Sequence, residues 1–170
     1  MPISWQWNEI AKSTKETTMA DGKSIFANLE EKLAKYDVLT PASLNGIKVM
    51  FIKINQLYRE NLTAQELYDA VRWCWIVDAK RANRCDYVFA VCQRRIVAIY
   101  AHPVWERITA SNYKQAPAHC DNPAQFIGRR SFFVCNNFAQ AMDCSLVGKL
   151  LDENNFGAQG ARNAIKYNYE

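Results

Sequence analysis

A chain of 170 residues, 49% apolar and 12% aromatic, fills one domain with a real core, and that composition excludes a disordered chain. Its longest apolar runs, Tyr87 to Cys92 and Ile96 to Ala101, fall far short of the roughly 18–20 residues of a membrane span. The opening MPISWQWNEIAK lacks the basic start and apolar stretch of a secretory leader, so a cytoplasmic protein is expected. The net charge of +4 is uneven: residues 1–45 carry five Lys/Arg against six Asp/Glu, and residues 46–170 carry sixteen against eleven.

Residues 1–22 read as a loosely attached arm, polar and aperiodic after Trp5 and Trp7, two tryptophans suited to docking on a protein. Ser24 then caps a helix in which Ile25, Phe26, Leu29, Leu33 and Tyr36 follow helical spacing. Pro41 and Asn45-Gly46 mark a loop. The chain is thereby divided into an arm plus helix over 1–45 and one globular unit over 46–170. IKVMFIKIN reads as a strand ended by Asn55, and Thr63-Ala-Gln-Glu66 is a capping box that opens a second helix. That helix carries a buried stripe of Leu67, Ala70, Val71 and Cys74, and a second stripe of Tyr68, Arg72 and Trp75.

DAKRANRC follows as a basic turn or short helix. YVFAVC and IVAIYA form a β-hairpin across Gln93-Arg94-Arg95. That turn lacks the Gly or Asn of two-residue turns, so a loop of three residues or more is expected. Residues 103–127 read as a long loop containing Trp105, RRSFFVCNN as a strand, FAQAMDCSLVGKLL as a short helix and AIKYNY as a last strand. Short strands with helices between them argue for an α+β fold: a small bent sheet or partly open barrel with helices outside. A doubly wound fold does not fit, because long helices and a Gly-rich phosphate loop are missing.

The six cysteines have no CxxC spacing, and most sit inside apolar runs as small buried hydrophobes. No nucleophile elbow, P-loop, dinucleotide fingerprint or HExxH is present. His102, His119 and Cys120 do not make a catalytic or metal-binding set, so no enzyme, cofactor or metal is expected. The basic excess falls in groups, Lys80-Arg81 with Arg84, Arg94-Arg95 and Arg129-Arg130, which favours anionic partners.

Residues 49–167 carry a consistent series of motifs. They run from Ile52-Lys53-Ile54-Asn55 and Tyr58-Arg59 to the helix Glu66-Leu67-Tyr68-Asp69-Ala70-Val71-Arg72-Trp73-Cys74-Trp75. The hairpin, Trp105, Arg130-Ser131-Phe132-Phe133, Gly148-Lys149 and a close from Gly160 to Tyr167 complete the series. In this order the chain resembles a small PUA-like domain, related to the EVE, YTH and ASCH groups, of bacteria and phages, often beside restriction or anti-phage genes. It departs from the pattern at Val71-Arg72-Trp73, where the family has Thr-Arg-Gly, at the hairpin turn, at Arg162 and at Ala164.

The resemblance implies a bent-sheet barrel that binds nucleic acid and reads a modified or flipped base in an aromatic pocket. Trp75, Tyr68 and Trp105 are then the stacking candidates, with Tyr58 beside them. Asn55 and Asn163 would read a base edge. Arg72 would hold a base face or a phosphate. Arg59, Arg94, Arg95, Arg130 and Lys166 would hold the backbone. Structural roles stand beside these. Trp75 suits a core, Asn55 and Asn163 suit strand ends, Arg72 suits a carboxylate at Asp69 or Asp86, Trp105 suits a loop anchor, and Arg94 and Arg95 suit a solvated turn. The other functions open to the chain are a nucleotide-like small-molecule binder and a protein-interaction or inhibitor module acting through the Trp5 and Trp7 arm.

Overall fold

The computed structural model of the chain describes residues 24–152 and 164–170. The Trp5 and Trp7 arm and Asn163 lie outside the described residues. Helix α1 (Ala27–Leu33) is followed by β1 (Val38–Leu39), β2 (Val49–Lys53), α2 (Ala64–Arg72), β3 (Trp73–Trp75) and α3 (Ala79–Ala82). Then come β4 (Tyr87–Cys92), β5 (Arg95–Ala101), β6 (Val104–Arg107), β7 (Ser131–Val134), β8 (Leu150–Leu151) and β9 (Ile165–Tyr167). Six strands form one sheet in the order β1-β8-β5-β4-β2-β9, and three form a second in the order β3-β7-β6. The fold is mixed α+β, with a curled, half-barrel sheet and few helices. No helix among the described residues is long and apolar enough to cross a membrane.

The strand IKVMFIKIN reads as a near-continuous apolar run because both of its faces are covered. Met50 and Ile52 enter one core with Val88, Ala90, Ala98 and Tyr100, closed by Leu67, Tyr68 and Val71 of α2 and by Trp105 and Phe133 of the small sheet. Val49 and Phe51 enter another with Phe89, Ile96 and Ile99, closed by Leu29 and Leu33 of α1 and by Phe26 just before it. A bulge between β4 and β5, where Ala90 pairs Ala98 but Val91 pairs Ile96, puts Val97 and Ala98 on the same side. The chain leaves β5 for β6 through His102, at φ 52°, and Pro103. This carries it from the large sheet to the small one.

The start of α2 follows the sequence. Thr63 accepts the Glu66 amide at 3.1 Å, and Glu66 accepts the Thr63 amide at 3.1 Å. The Thr63 amide, then the Thr63 hydroxyl and, more weakly, Arg59 hold the Glu66 carboxyl below its ordinary value. Thr63→Ala is therefore expected to cost about 1 kcal/mol, read as a lower urea midpoint at unchanged slope. Because the Glu66 pKa is depressed in the folded state, its part of the box is present above the ordinary Glu value. It fades as pH falls through the folded value. An unchanged midpoint would show that the box adds nothing here.

The end of α2 corrects the expectation. The helix stops at Arg72, and Trp73 is extended (φ −121°, ψ 137°). Trp73, Cys74 and Trp75 belong to β3, which pairs with Ser131 and Phe132, and the Trp73 ring lies 4.8 Å from that of Phe132. A W-C-W-I-V run fits a pleated surface better than a helix interior once such a partner is present. Two further corrections concern residues 103–127 and 138–151. The first contains β6 and two short 3-10 turns, and the second contains one 3-10 turn, Phe138–Gln140, before β8. The hairpin turn is also shorter than expected. Cys92 pairs Arg95, so only Gln93 and Arg94 turn, both left-handed at φ 50° and 69°.

Candidate functional site

Strands β2 and β4 run parallel, and their carboxyl ends open together at one end of the sheet. There Lys53, Asn55, Val91, Gln93, Arg94, Leu151 and Asp152 line a cleft of about 280 Å³. The tight hairpin turn is pinned over it. The Gln93 amide donates to the Asn55 side-chain oxygen at 3.0 Å, which leaves that side chain a donor toward a ligand. Arg94 donates through Nε to the Leu151 carbonyl at 3.1 Å, and the Leu151 amide returns to the Arg94 carbonyl at 2.8 Å. Arg95, the next residue, is exposed and bonded to the Gly148 carbonyl.

Strand β9 completes the cationic group. Lys166 pairs Phe51 across the antiparallel ladder, so it shares a face with Lys53 two residues further along β2. Burial, and then the charge of Lys166, lowers the Lys53 pKa. A lysine held this way gains from an anion that neutralises the pair. Lys53 and Arg94 thus line the cleft with Asp152 as its acid, and Lys166 stands beside Lys53 on the neighbouring strand; Arg95 is not among the lining residues.

The aromatic candidates lie elsewhere. Tyr68 is buried, stacked on Phe138 at 4.4 Å, and its hydroxyl accepts the Cys135 amide at 2.9 Å. Trp105 is 2% exposed and 5.1 Å from the Phe133 ring. Asn83 bonds both backbone groups of Trp105, at 2.6 and 3.0 Å. Trp75 is half-buried on β3, with Nε1 donating to the Val71 carbonyl at 2.7 Å. Tyr58 packs at the rim of the same core. These rings fill the space between the two sheets and do not line the cleft.

Arg72 is also buried. It bonds Asp69 at 2.9 Å and the Gln115 carbonyl at 2.9 Å, and its guanidinium lies over the rings of Tyr68 and Trp73. Of the two carboxylates considered for it, Asp69 is the partner. Arg130 lies over Phe126 at 5.2 Å and reaches the Cys74 carbonyl. Arg59 pairs with Glu66 at 3.2 Å beside a different cleft, of about 420 Å³. That cleft is larger, but Glu66 and Asp69 outweigh its one arginine, so it is a poor seat for an anion.

Of the cleft residues, Asn55 and Arg94 were site candidates from the sequence, and Lys53, Val91, Gln93, Leu151 and Asp152 were not. Lys53 left a signal, a single charge inside an apolar strand. Cys85, Cys135 and Cys144 are buried, while Cys74, Cys92 and Cys120 are half-buried. Desolvation pushes Cys85, Cys135 and Cys144 up to about 12. Among the described residues no three His, Cys, Asp or Glu groups gather as a metal site. Comparison with protein-family models, curated proteins and solved structures finds no match for this chain.

Proposed function

We propose that the chain is a nucleic-acid-binding module, PUA-like in its curled sheet, that holds the phosphate backbone at the cleft beside Lys53 and Arg94. The observation that carries this reading is the pairing of Lys53 and Arg94 in the wall of a concave cleft, with Lys166 beside Lys53 on the next strand. Phosphate contacts of this kind supply affinity without sequence information. The Asn55 amide supplies a polar contact to the sugar or base next to the held phosphate. Base reading through Tyr68, Trp105 and Arg72 is not part of the proposal, because all three are buried in structural contacts.

A cleft of about 280 Å³ is near the small end of ligand pockets, which start at roughly 300 Å³. It holds one nucleotide unit, so a free nucleotide is the second reading. A titration against single-stranded, double-stranded and mononucleotide ligands at two salt concentrations separates them. The polymer reading expects binding that falls with salt, with a slope for single strands of about 0.7 per phosphate contact. Mononucleotide binding alone would move the function to a nucleotide sponge or sensor. Binding of neither would overturn both readings.

The lowered Lys53 pKa adds a pH signature. Among the described residues, Lys166, Arg94 and Asp152 are charged groups near Lys53. Binding should hold through neutral pH and weaken as pH rises through the lowered value, before ordinary lysines discharge near about 10.4. Stability runs the other way. The native state binds this proton more weakly than the unfolded chain, so stability rises over the same interval. Lys53→Arg should carry binding to higher pH. An identical pH profile in that variant would remove Lys53 from the contact.

A further inference from the structure

On the opposite face of the β9 edge from Lys166, a second group of residues is arranged around two tyrosines. Tyr167 and Tyr169 point to the same side of the extended chain, with ring centroids 5.3 Å apart and an interplanar angle of 77°. Asn168 between them fixes this geometry. It exchanges bonds with Val49, at 2.7 and 3.1 Å, and donates to the Ile47 carbonyl at 2.7 Å. The segment therefore extends the ladder beyond β9, at the open edge of the sheet.

The basic turn DAKRANRC backs this strip. Arg81 lies over the Tyr167 ring at 3.9 Å and donates to the Tyr169 carbonyl at 3.0 Å, while the Tyr169 hydroxyl donates to the Arg81 carbonyl at 2.8 Å. Arg81 is the anchor. Arg84 stands 5.7 Å from the Tyr169 ring, and it and Lys80 are exposed. The nearby acids are engaged with backbone: Asp78 accepts the Lys80 amide and Asp86 the Lys48 amide, each at 3.0 Å. Both rings are partly buried against the core that Met50 and Ile52 enter, and their remaining exposed surface stands beside exposed cations, the two components of a single-strand surface. Rings accept any base face, and cations follow the phosphates.

We infer that Tyr167 and Tyr169 are a stacking strip for unpaired bases of a single-stranded nucleic acid, with Arg84 and Lys80 on its phosphates. The inference rests on the phosphate-binding reading of the cleft. It names the ligand as a single strand that crosses the β9 edge, where Lys166 and Tyr167 are consecutive residues facing opposite ways. It also assigns a role to Lys80-Arg81 with Arg84, a basic cluster of the sequence that the cleft does not absorb.

The test uses the full chain and fluorescence anisotropy with three probes: a single strand of about twelve thymidylates, an abasic strand of equal length, and a duplex. The abasic strand keeps the phosphates and removes the bases. The wild-type protein should bind the thymidylate strand about fivefold to a hundredfold more tightly than the abasic strand, and more tightly than the duplex. Tyr167→Ala should abolish that preference, and Tyr167→Phe should keep it. Equal binding of the thymidylate and abasic strands by the wild-type protein, whose folding is not in question, overturns the inference. So does a Tyr167→Ala variant that keeps the preference, or a wild-type preference for duplex. In those cases salt-dependent binding lost in Lys53→Met would leave the cleft reading standing. No binding of any probe overturns both.

Discussion

Trp105→Ala is expected to lose about 3–5 kcal/mol of stability, a large share of the roughly 5–15 kcal/mol of a typical domain. The ring is 2% exposed and sits where the small sheet closes over the large one. Its neighbours are Phe133 and the Cys85 thiol, and its strand is clipped to Asn83 on both backbone groups. Truncation leaves a cavity between two rigid sheets that cannot collapse into it. The measurement is a urea titration followed by far-ultraviolet circular dichroism, with Trp105→Phe as the milder variant. If Trp105 were instead a stacking residue of a ligand pocket, Trp105→Ala would keep its midpoint and lose nucleic-acid affinity. That result would return the aromatic pocket to consideration and displace the cleft.

The long apolar strands and the capped helix start were legible because their signals are local. Thr63 and Glu66 are three residues apart, and the β4–β5 hairpin pairs neighbours in sequence. The missed elements depend on distant partners. β1 and β8 are two residues each and exist through the pairing of Val38 with Leu150 and Leu39 with Leu151. β3 displaces the last turn of a helix only because Ser131 and Phe132 lie alongside. The same limit governs the site. Arg94, Arg95 and Lys166 were found as charges. Tyr68 and Arg72 follow one helical stripe whichever way it faces, and it faces the core. Spacing records that residues share a side; it does not record which side is covered.

The double variant Lys53→Met, Arg94→Gly is expected to lose at least about a hundredfold in affinity for a single strand, while its thermal midpoint stays level or rises. The affinity estimate takes about 1.5–3 kcal/mol for each charge-assisted phosphate contact, and the salt slope should shrink by about 1.4 for two contacts. The stability estimate comes from what each residue costs the fold. Lys53 keeps its charge against partial burial and the neighbouring Lys166. Arg94 holds a left-handed backbone at φ 69° that glycine adopts without strain. Relief of about 1 kcal/mol there offsets the loss of the Nε bond to the Leu151 carbonyl. The backbone bond from the Leu151 amide to residue 94 is retained, so the turn keeps its register. Residues present for the fold alone would give the opposite result, a lower midpoint with unchanged binding. Weaker binding together with undiminished stability would mark Lys53 and Arg94 as positions where the chain accepts a local cost for the sake of a ligand.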